Sequence, residues 1–160
     1  MSIAVFDIDG VVADVRHRIG YLQRRPKDWS AFFAHAASDG PLAQGIELVQ
    51  QLISTHHDIV WLTGRPDWLR SVTRDWLAGH ELPTGSLIMR SNGDYRAARI
   101  MKVEALRELE ARPDSDITLF VDDDPDVITA ASHAGFTALL ADWVPRDSSL
   151  HAAQEQAGRT

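Results

Sequence analysis

The chain contains no cysteine in its 160 residues, which excludes disulfides and thiolate metal sites. Long apolar runs are missing too. The first such run ends after Phe6, where Asp7 interrupts it. The longest uncharged stretch, Val127 to Ala141, is too short and too broken by His133 and Gly135 to cross a bilayer. No secretory leader is legible, and the expectation is a cytoplasmic protein without membrane contact. Positive charge is scarce: a net charge of −7 and a pI near 5.4 argue against a broad basic footprint for duplex nucleic acid. Lysine is nearly absent, two residues against fourteen arginines, so the position of each lysine invites attention. Guanidinium forks suit phosphate recognition, although genome composition explains the larger share of such a bias.

What is present alternates. Strand signals recur at Ile3–Phe6, Ile59–Leu62, Ser86–Met89, Ile117–Val121 and Phe136–Leu140. Helical periods fall between them: after Pro41 (Leu42, Ile46, Val49, Ile53), after Pro66 (Leu69, Val72, Trp76), and from Ala97 to Ala111. A fourth has Asp124 as N-cap, Pro125 in its first turn and Gly135 as its stop. Strands and helices in this order predict an α/β protein, a three-layer Rossmann-like fold around a mainly parallel five-stranded sheet. One domain spanning 1–160 is expected. Residues 14–40, too few for a core of their own, read as a small, partly helical flap inserted after the first strand, with an open entrance below it. Residues 145–160, polar and alanine-rich, read as a short surface helix with a frayed end.

In such sheets ligands bind beyond the carboxyl ends of the strands, and four sequence positions collect there. The first is Asp7-Ile-Asp9-Gly10, two carboxylates that strand alternation places toward one side. They repel each other and resist desolvation, so a cation between them is expected, and Mg²⁺, which prefers oxygen ligands, is the candidate. The second is Thr63-Gly64-Arg65, a hydroxyl and free backbone N–H groups at a strand tip, donors for an anion. The third is Lys102. The fourth is Asp122-Asp123, which helix capping does not explain. Each has a plainer reading taken singly: a polar loop, a turn, a solvated helix face.

Taken together and in this order, Asp7-x-Asp9-Gly, Thr63-Gly64-Arg65, Lys102 and Asp122-Asp123 resemble the haloacid dehalogenase superfamily of phosphotransferases. Arg18, eleven residues past Asp7, and the run Met89-Arg90…Gly93-Asp94-Tyr95-Arg96…Lys102 resemble the phosphatase half of polynucleotide kinase–phosphatase. No glycine-rich P-loop for a kinase is present.

The resemblance implies a phosphomonoesterase with Asp7 as nucleophile, Asp9 as general acid and base, and Thr63 and Lys102 on the phosphoryl oxygens. It implies Mg²⁺ on Asp7, the Asp9 main chain, and Asp122 or Asp123. Arg18, Gly64, Arg65 and Arg96 would bind substrate. Asp9 separates this reading from the dehalogenase branch, which lacks a second aspartate, and from the ion-pumping branch, which carries threonine. Two departures stand out: Val11 where relatives often have threonine, and Ala98 where the polynucleotide relatives usually have an acid.

The implied substrate is a polynucleotide 3′-phosphate, with a nucleotide or other small phosphate ester as the alternative. A single-stranded end needs only a local groove and stacking aromatics. Arg16, Arg18, Tyr21, Arg24, Arg25 and Trp29 offer both, unless the flap folds over its own rings. A receiver-like signalling domain also joins acids, Mg²⁺, Thr and Lys. There the acid pair comes early and the lysine late, whereas Lys102 precedes Asp122-Asp123 here. Every reactive position is filled, which leaves no support for a dead binding module.

Overall fold

The computed structural model describes all residues from Met1 to Thr160. Five strands, β1 (Ser2–Phe6), β4 (Asp58–Pro66), β5 (Ser86–Arg90), β6 (Asp116–Asp122) and β7 (Ala138–Leu140), form one parallel sheet. Their order is β5-β4-β1-β6-β7, with β1 in the middle. Two further strands, β2 (Ala13–Asp14) and β3 (Gly40–Pro41), pair antiparallel away from it.

The two-residue period of a strand divides the core between the faces of the sheet. Ala4, Phe6, Ile59, Trp61 and Val121 point to one face, where α3 (Ala43–Ser54) brings Val49 and α4 (Arg70–Gly79) brings Trp76 and Leu77. Val5, Val60, Leu62 and Phe120 point to the other, against α5 (Ala98–Glu110) and α6 (Pro125–His133). Covering both faces is what makes the central strands apolar throughout. The chain moves outward from β1 to β4 and β5, then crosses back to β6 and β7, so its direction reverses beside β1. That switch opens a crevice at the carboxyl ends of β1 and β6.

Residues between β2 and β3 form the flap: a 3₁₀ turn at Arg16–Arg18, α1 (Gly20–Gln23), α2 (Trp29–Ala34) and a second turn at His35–Ser38. Its apolar residues Val15, Ile19, Leu22, Phe32 and Phe33 share one cluster with Leu69, Met89, Leu150 and Ala153. The last two belong to α7 (Ser148–Glu155), capped by the Asp147 side chain.

Three local expectations change. Pro66 ends β4 instead of opening a helix, because β4 resumes pairing with β5 at Pro66–Arg90 after a break at Thr63; a 3₁₀ turn at Asp67–Leu69 precedes α4. Ile53, expected on the buried stripe of α3, is exposed near the helix end. The C-terminal segment is neither superficial nor frayed. Leu150 and Ala153 are buried because the flap presents an apolar underside that α7 covers, whereas Gln154 is buried on Asp123, Gly158 against the Tyr95 backbone and Thr160 against Gly64.

Two glycines separate packing from propensity. A Cβ at Gly45 would overlap the Val11 carbonyl, whereas one at Gly79 meets open space. Gly45→Ala should lower stability by about 1–3 kcal/mol. Gly79→Ala, at the end of α4, should leave it unchanged or raise it by up to about 1 kcal/mol. Urea unfolding of both variants checks this.

Candidate active site

β1 delivers Asp7, whose main-chain N–H extends the ladder to the Val121 carbonyl at 2.9 Å. β6 ends one strand over in Asp122, and Asp123 follows it. From the face below, α5 sends up Lys102. Its Nζ lies 2.6 Å from Asp122 Oδ2 and 2.9 Å from Asp7 Oδ2. The Asp7, Asp122 and Asp123 carboxylates come within 4.8 Å of one another. Gly10 turns at φ +75°, and a Cβ there would overlap the Asp123 carboxylate. The glycine after Asp9 thus makes room for the acid from β6.

The charges of this group do not balance. Burial, then repulsion from Asp122 and Asp9, push Asp7 up to about 7 against the pull of Lys102. Burial, with Asp122 and Asp7 beside it, holds Asp123 well above the ordinary carboxyl range. Burial raises Asp122 as well. Burial disfavours the Lys102 ammonium, but Asp122 and Asp7 outweigh it and raise that group. Arg146 adds a second cation in contact with the group, its Nη1 3.5 Å from Asp123 Oδ2, while Arg65 is committed to Asp9 and Asp39. Three hard oxygen donors gathered around too little positive charge suit a divalent cation with oxygen preference. The donor set therefore fits a metal.

Asp9 faces elsewhere. The strand ends at Phe6, so its alternation no longer governs the acids, and the Asp9 carboxylate does not join the Asp7 group. Asp9 Oδ1 accepts from Arg65 Nη2 at 2.6 Å, Arg65 Nε at 2.9 Å and Arg18 Nη2 at 3.2 Å. Burial works against this carboxylate, but the two guanidiniums prevail and hold it down at about 2. Any part Asp9 plays at a cation falls to its main chain.

Behind these arginines stands Asp39, which accepts from Arg18 Nε and Nη2 at 2.8 Å each and from Arg65 Nη2 at 2.9 Å. His17 Nε2 adds a 2.7 Å contact. Arg18 and Arg65 are thus fully buried and held between two carboxylates, instead of reaching into an open cleft.

Thr63 lies at the tip of β4, its Oγ1 accepting from the Arg65 N–H at 3.2 Å. Gly64 makes room for Thr160, whose backbone a Cβ would strike. Thr160 Oγ1 donates to Asp9 Oδ2 at 3.2 Å. Arg90, buried at the end of β5, donates through Nε to the Gly64 carbonyl at 3.0 Å. Arg96, expected on substrate, stands apart: its half-exposed guanidinium pairs with Asp94 and Glu104. Its position just outside the α5 N-terminus turns it toward those acids.

The flap arginines are similarly engaged, Arg16 with Asp14 and Arg24 with Asp28. The entrance, expected to be open, is covered: Asp7 is 2% exposed and Asp9 3%. Gln154 donates to Asp123 Oδ1 at 3.3 Å, and Arg146 Nη1 to the Asp123 carbonyl at 2.6 Å. Asp39, Arg146, Gln154 and Thr160 escape sequence reasoning because their partners are distant in the chain. Arg90 carries a usable signal, since it ends a strand.

The model of the family described as polynucleotide kinase PNKP phosphatase domain matches residues 1–142. Among solved structures, a chain of the Pnkp1/Rnl/Hen1 RNA repair complex superposes with a TM-score of 0.73 at 20% identity, over 87% of this chain and 42% of that one. The class C acid phosphatase from Bacillus anthracis gives 0.61 at 19% identity, over 83% and 59%. A haloacid dehalogenase-like hydrolase from Streptococcus pneumoniae gives 0.61 at 15%, over 97% and 91%. The chain thus spans less than half of the repair-complex protein it resembles. At these identities the likeness shows a shared fold. No curated protein matches the chain. No helix is long and apolar enough to cross a membrane.

Two measurements probe this arrangement. Without metal, the raised Asp7 and Asp123 carboxyls favour the folded state while protonated. That contribution is complete below their ordinary value of 3.8 and is lost as pH rises, through about 7 for Asp7. Protons compete with a cation for the same oxygens, so the rise in Tm on adding Mg²⁺ should grow with pH across that window. An increment independent of pH would count against these ligands. Asp39→Ala leaves two buried guanidiniums facing Asp9 alone and should cost about 3–5 kcal/mol in urea unfolding.

Proposed function

We propose a specific reaction for this chain, which belongs to the polynucleotide kinase PNKP phosphatase domain family and is a phosphoric monoester hydrolase of the haloacid dehalogenase type. It is a Mg²⁺-dependent phosphatase that works through an aspartyl-phosphate on Asp7, with the 3′-phosphate of a polynucleotide end as its substrate. The whole of 1–160 acts as one phosphatase domain, with 14–40 as its flap. The observation that carries this reading is the buried convergence of Asp7, Asp122 and Asp123, the first two paired with Lys102, beside an acid held by two arginines.

An Asp7 oxygen attacks phosphorus, the bond to the ester oxygen breaks, and Asp9 gives that oxygen a proton. Water then loses a proton to Asp9 and attacks the same phosphorus. The Asp7–phosphorus bond breaks, and inorganic phosphate leaves with Asp7 restored. Lys102, through its pairing with Asp7, keeps that carboxylate available and offers a donor to the phosphoryl oxygens beside the Thr63 hydroxyl. Asp7, the Asp9 main chain and Asp122 or Asp123 would hold Mg²⁺, which would supply the charge that lets a dianion approach these acids.

Asp9 needs a reason to hold a proton, because Arg65 and Arg18 keep it ionised at about 2. A substrate phosphate supplies one. Its negative charge, set beside the Asp9 carboxylate, disfavours the ionised form, and its oxygens draw on the same guanidinium donors, so the proton affinity of Asp9 rises. Asp39 meanwhile keeps both guanidiniums in place. The acid is armed by the substrate's own charge.

The family and the RNA repair protein of similar fold support a nucleic-acid end as the substrate. The net charge of −7 and the pairing of Arg16 and Arg24 with flap acids favour the second reading, a nucleotide or small phosphate ester. Phosphate release with Mg²⁺ from 3′-phosphorylated oligonucleotides, nucleoside monophosphates and sugar phosphates separates the two. Asp7→Asn should reduce turnover by at least about 10³-fold. It should not lower stability, since the Asp7 charge is disfavoured where it sits. Wild-type turnover in that variant would remove Asp7 as nucleophile.

A further inference from the structure

A cleft of about 320 Å³ opens beside the catalytic group. Trp29, Phe33, Trp68 and Tyr95 line it together with Arg90 and Pro66. Its size lies at the lower end of the range for small-molecule sites. Trp68 and Tyr95 are each 59% exposed, unusual for large rings with no partner to bury them. Trp29 and Phe33 stack at 6.2 Å, and Trp68 meets Phe33 edge-on at 5.5 Å. Polar groups rim the opening: Ser91, Asn92 and Asp94.

One side chain of the protein already lies in this cleft. The Arg159 guanidinium sits 4.9 Å from the Trp29 ring centre and 5.0 Å from that of Tyr95. A flat, delocalised group between two aromatic rings marks a position that suits any flat π-system. The next residue, Thr160, donates its hydroxyl to Asp9 and lies against Gly64, with its carbonyl 3.5 Å from Arg90 Nη2. Consecutive Cα atoms are about 3.8 Å apart. Two adjacent residues thus join the cleft to the catalytic acid, Arg159 lying in the one and Thr160 bonded to the other.

From this we infer that the slot between Trp29 and Tyr95 takes the nucleobase of the nucleotide whose phosphate is removed, with Arg159 and Thr160 holding the path until substrate displaces them. The inference rests on the proposed phosphatase activity and adds the group that is recognised. Stacking is tolerant of base identity, so the slot reads the presence of a base and not its sequence. The base comes from a mononucleotide or from a polynucleotide end, and both arms belong in the test.

The test compares kcat/KM on three substrates: a 3′-phosphorylated oligonucleotide, the same oligonucleotide with an abasic 3′-terminal nucleoside, and a nucleoside 3′-monophosphate. Wild type should prefer the intact terminus over the abasic one by about tenfold, the order expected of one stacked base. Tyr95→Ala should bring that ratio close to one, chiefly through KM. Trp29→Ala should act likewise, but it also removes packing against Phe32 and Phe33, so the exposed Tyr95 decides. Arg159→Ala should lower KM for the intact substrate. If the mononucleotide shows the same Tyr95 dependence, the slot serves a base from either source.

Equal rates on intact and abasic ends would overturn the slot and leave the phosphatase reading standing. If no substrate is hydrolysed, that reading fails instead, and calorimetric binding of the 3′-phosphorylated oligonucleotide decides the slot alone. There Tyr95→Ala should weaken affinity about tenfold, and unchanged affinity would overturn it.

Discussion

The constraint on which the rest depends is the cost of burying like charge. At the carboxyl ends of β1 and β6 the protein places Asp7, Asp122 and Asp123 out of water, with Lys102 as the only ammonium among them. Isolated buried carboxylates are strongly disfavoured. Such a group persists because a well-filled core holds the strand ends still. The alternating sets Ala4 with Phe6 and Val5 with Phe120 fix β1 and β6 from opposite faces. The fold stores, as proximity of like charges, an affinity for a cation or a proton.

A second charged unit faces the first across the same crevice with the opposite solution. Asp9 and Asp39 are satisfied within the protein by Arg18 and Arg65. One aspartate of the Asp7-x-Asp9 pair is thus held protonation-prone and the other strongly ionised, two residues apart. Environments that push titratable neighbours in opposite directions divide chemical roles between them. The division arises where β1 stops at Phe6. Beyond that residue the chain turns through Gly10, and the two side chains meet different partners.

What the sequence discloses follows from locality. The central strands, α3, α5, and the Asp124–Pro125 start of α6 rest on short-range periodicity and capping, and they lie close to where these signals put them. Pro66 misleads because its fixed φ suits both a strand end and a helix start. Asp7, Lys102, Asp122 and Asp123 converge through the strand-end rule. The direction of Asp9 does not follow from a strand rule that no longer applies, and Asp39 owes its place to arginines 21 and 26 residues away. Likewise the burial of Leu150 and Ala153 depends on a flap surface that only tertiary packing creates.

That shared surface has a mechanical consequence. Flap and α7 have no separate cores; Ile19, Leu22 and Phe33 of one and Leu150 and Ala153 of the other belong to a single apolar cluster. Lifting either strips the other, so the cover over the crevice behaves as one cooperative foldon rather than two independent gates. The free energy of admitting a ligand is then tied to the hydrophobic area joining them. A substitution that tightens this seam would raise thermal resistance and throttle catalysis in the same stroke.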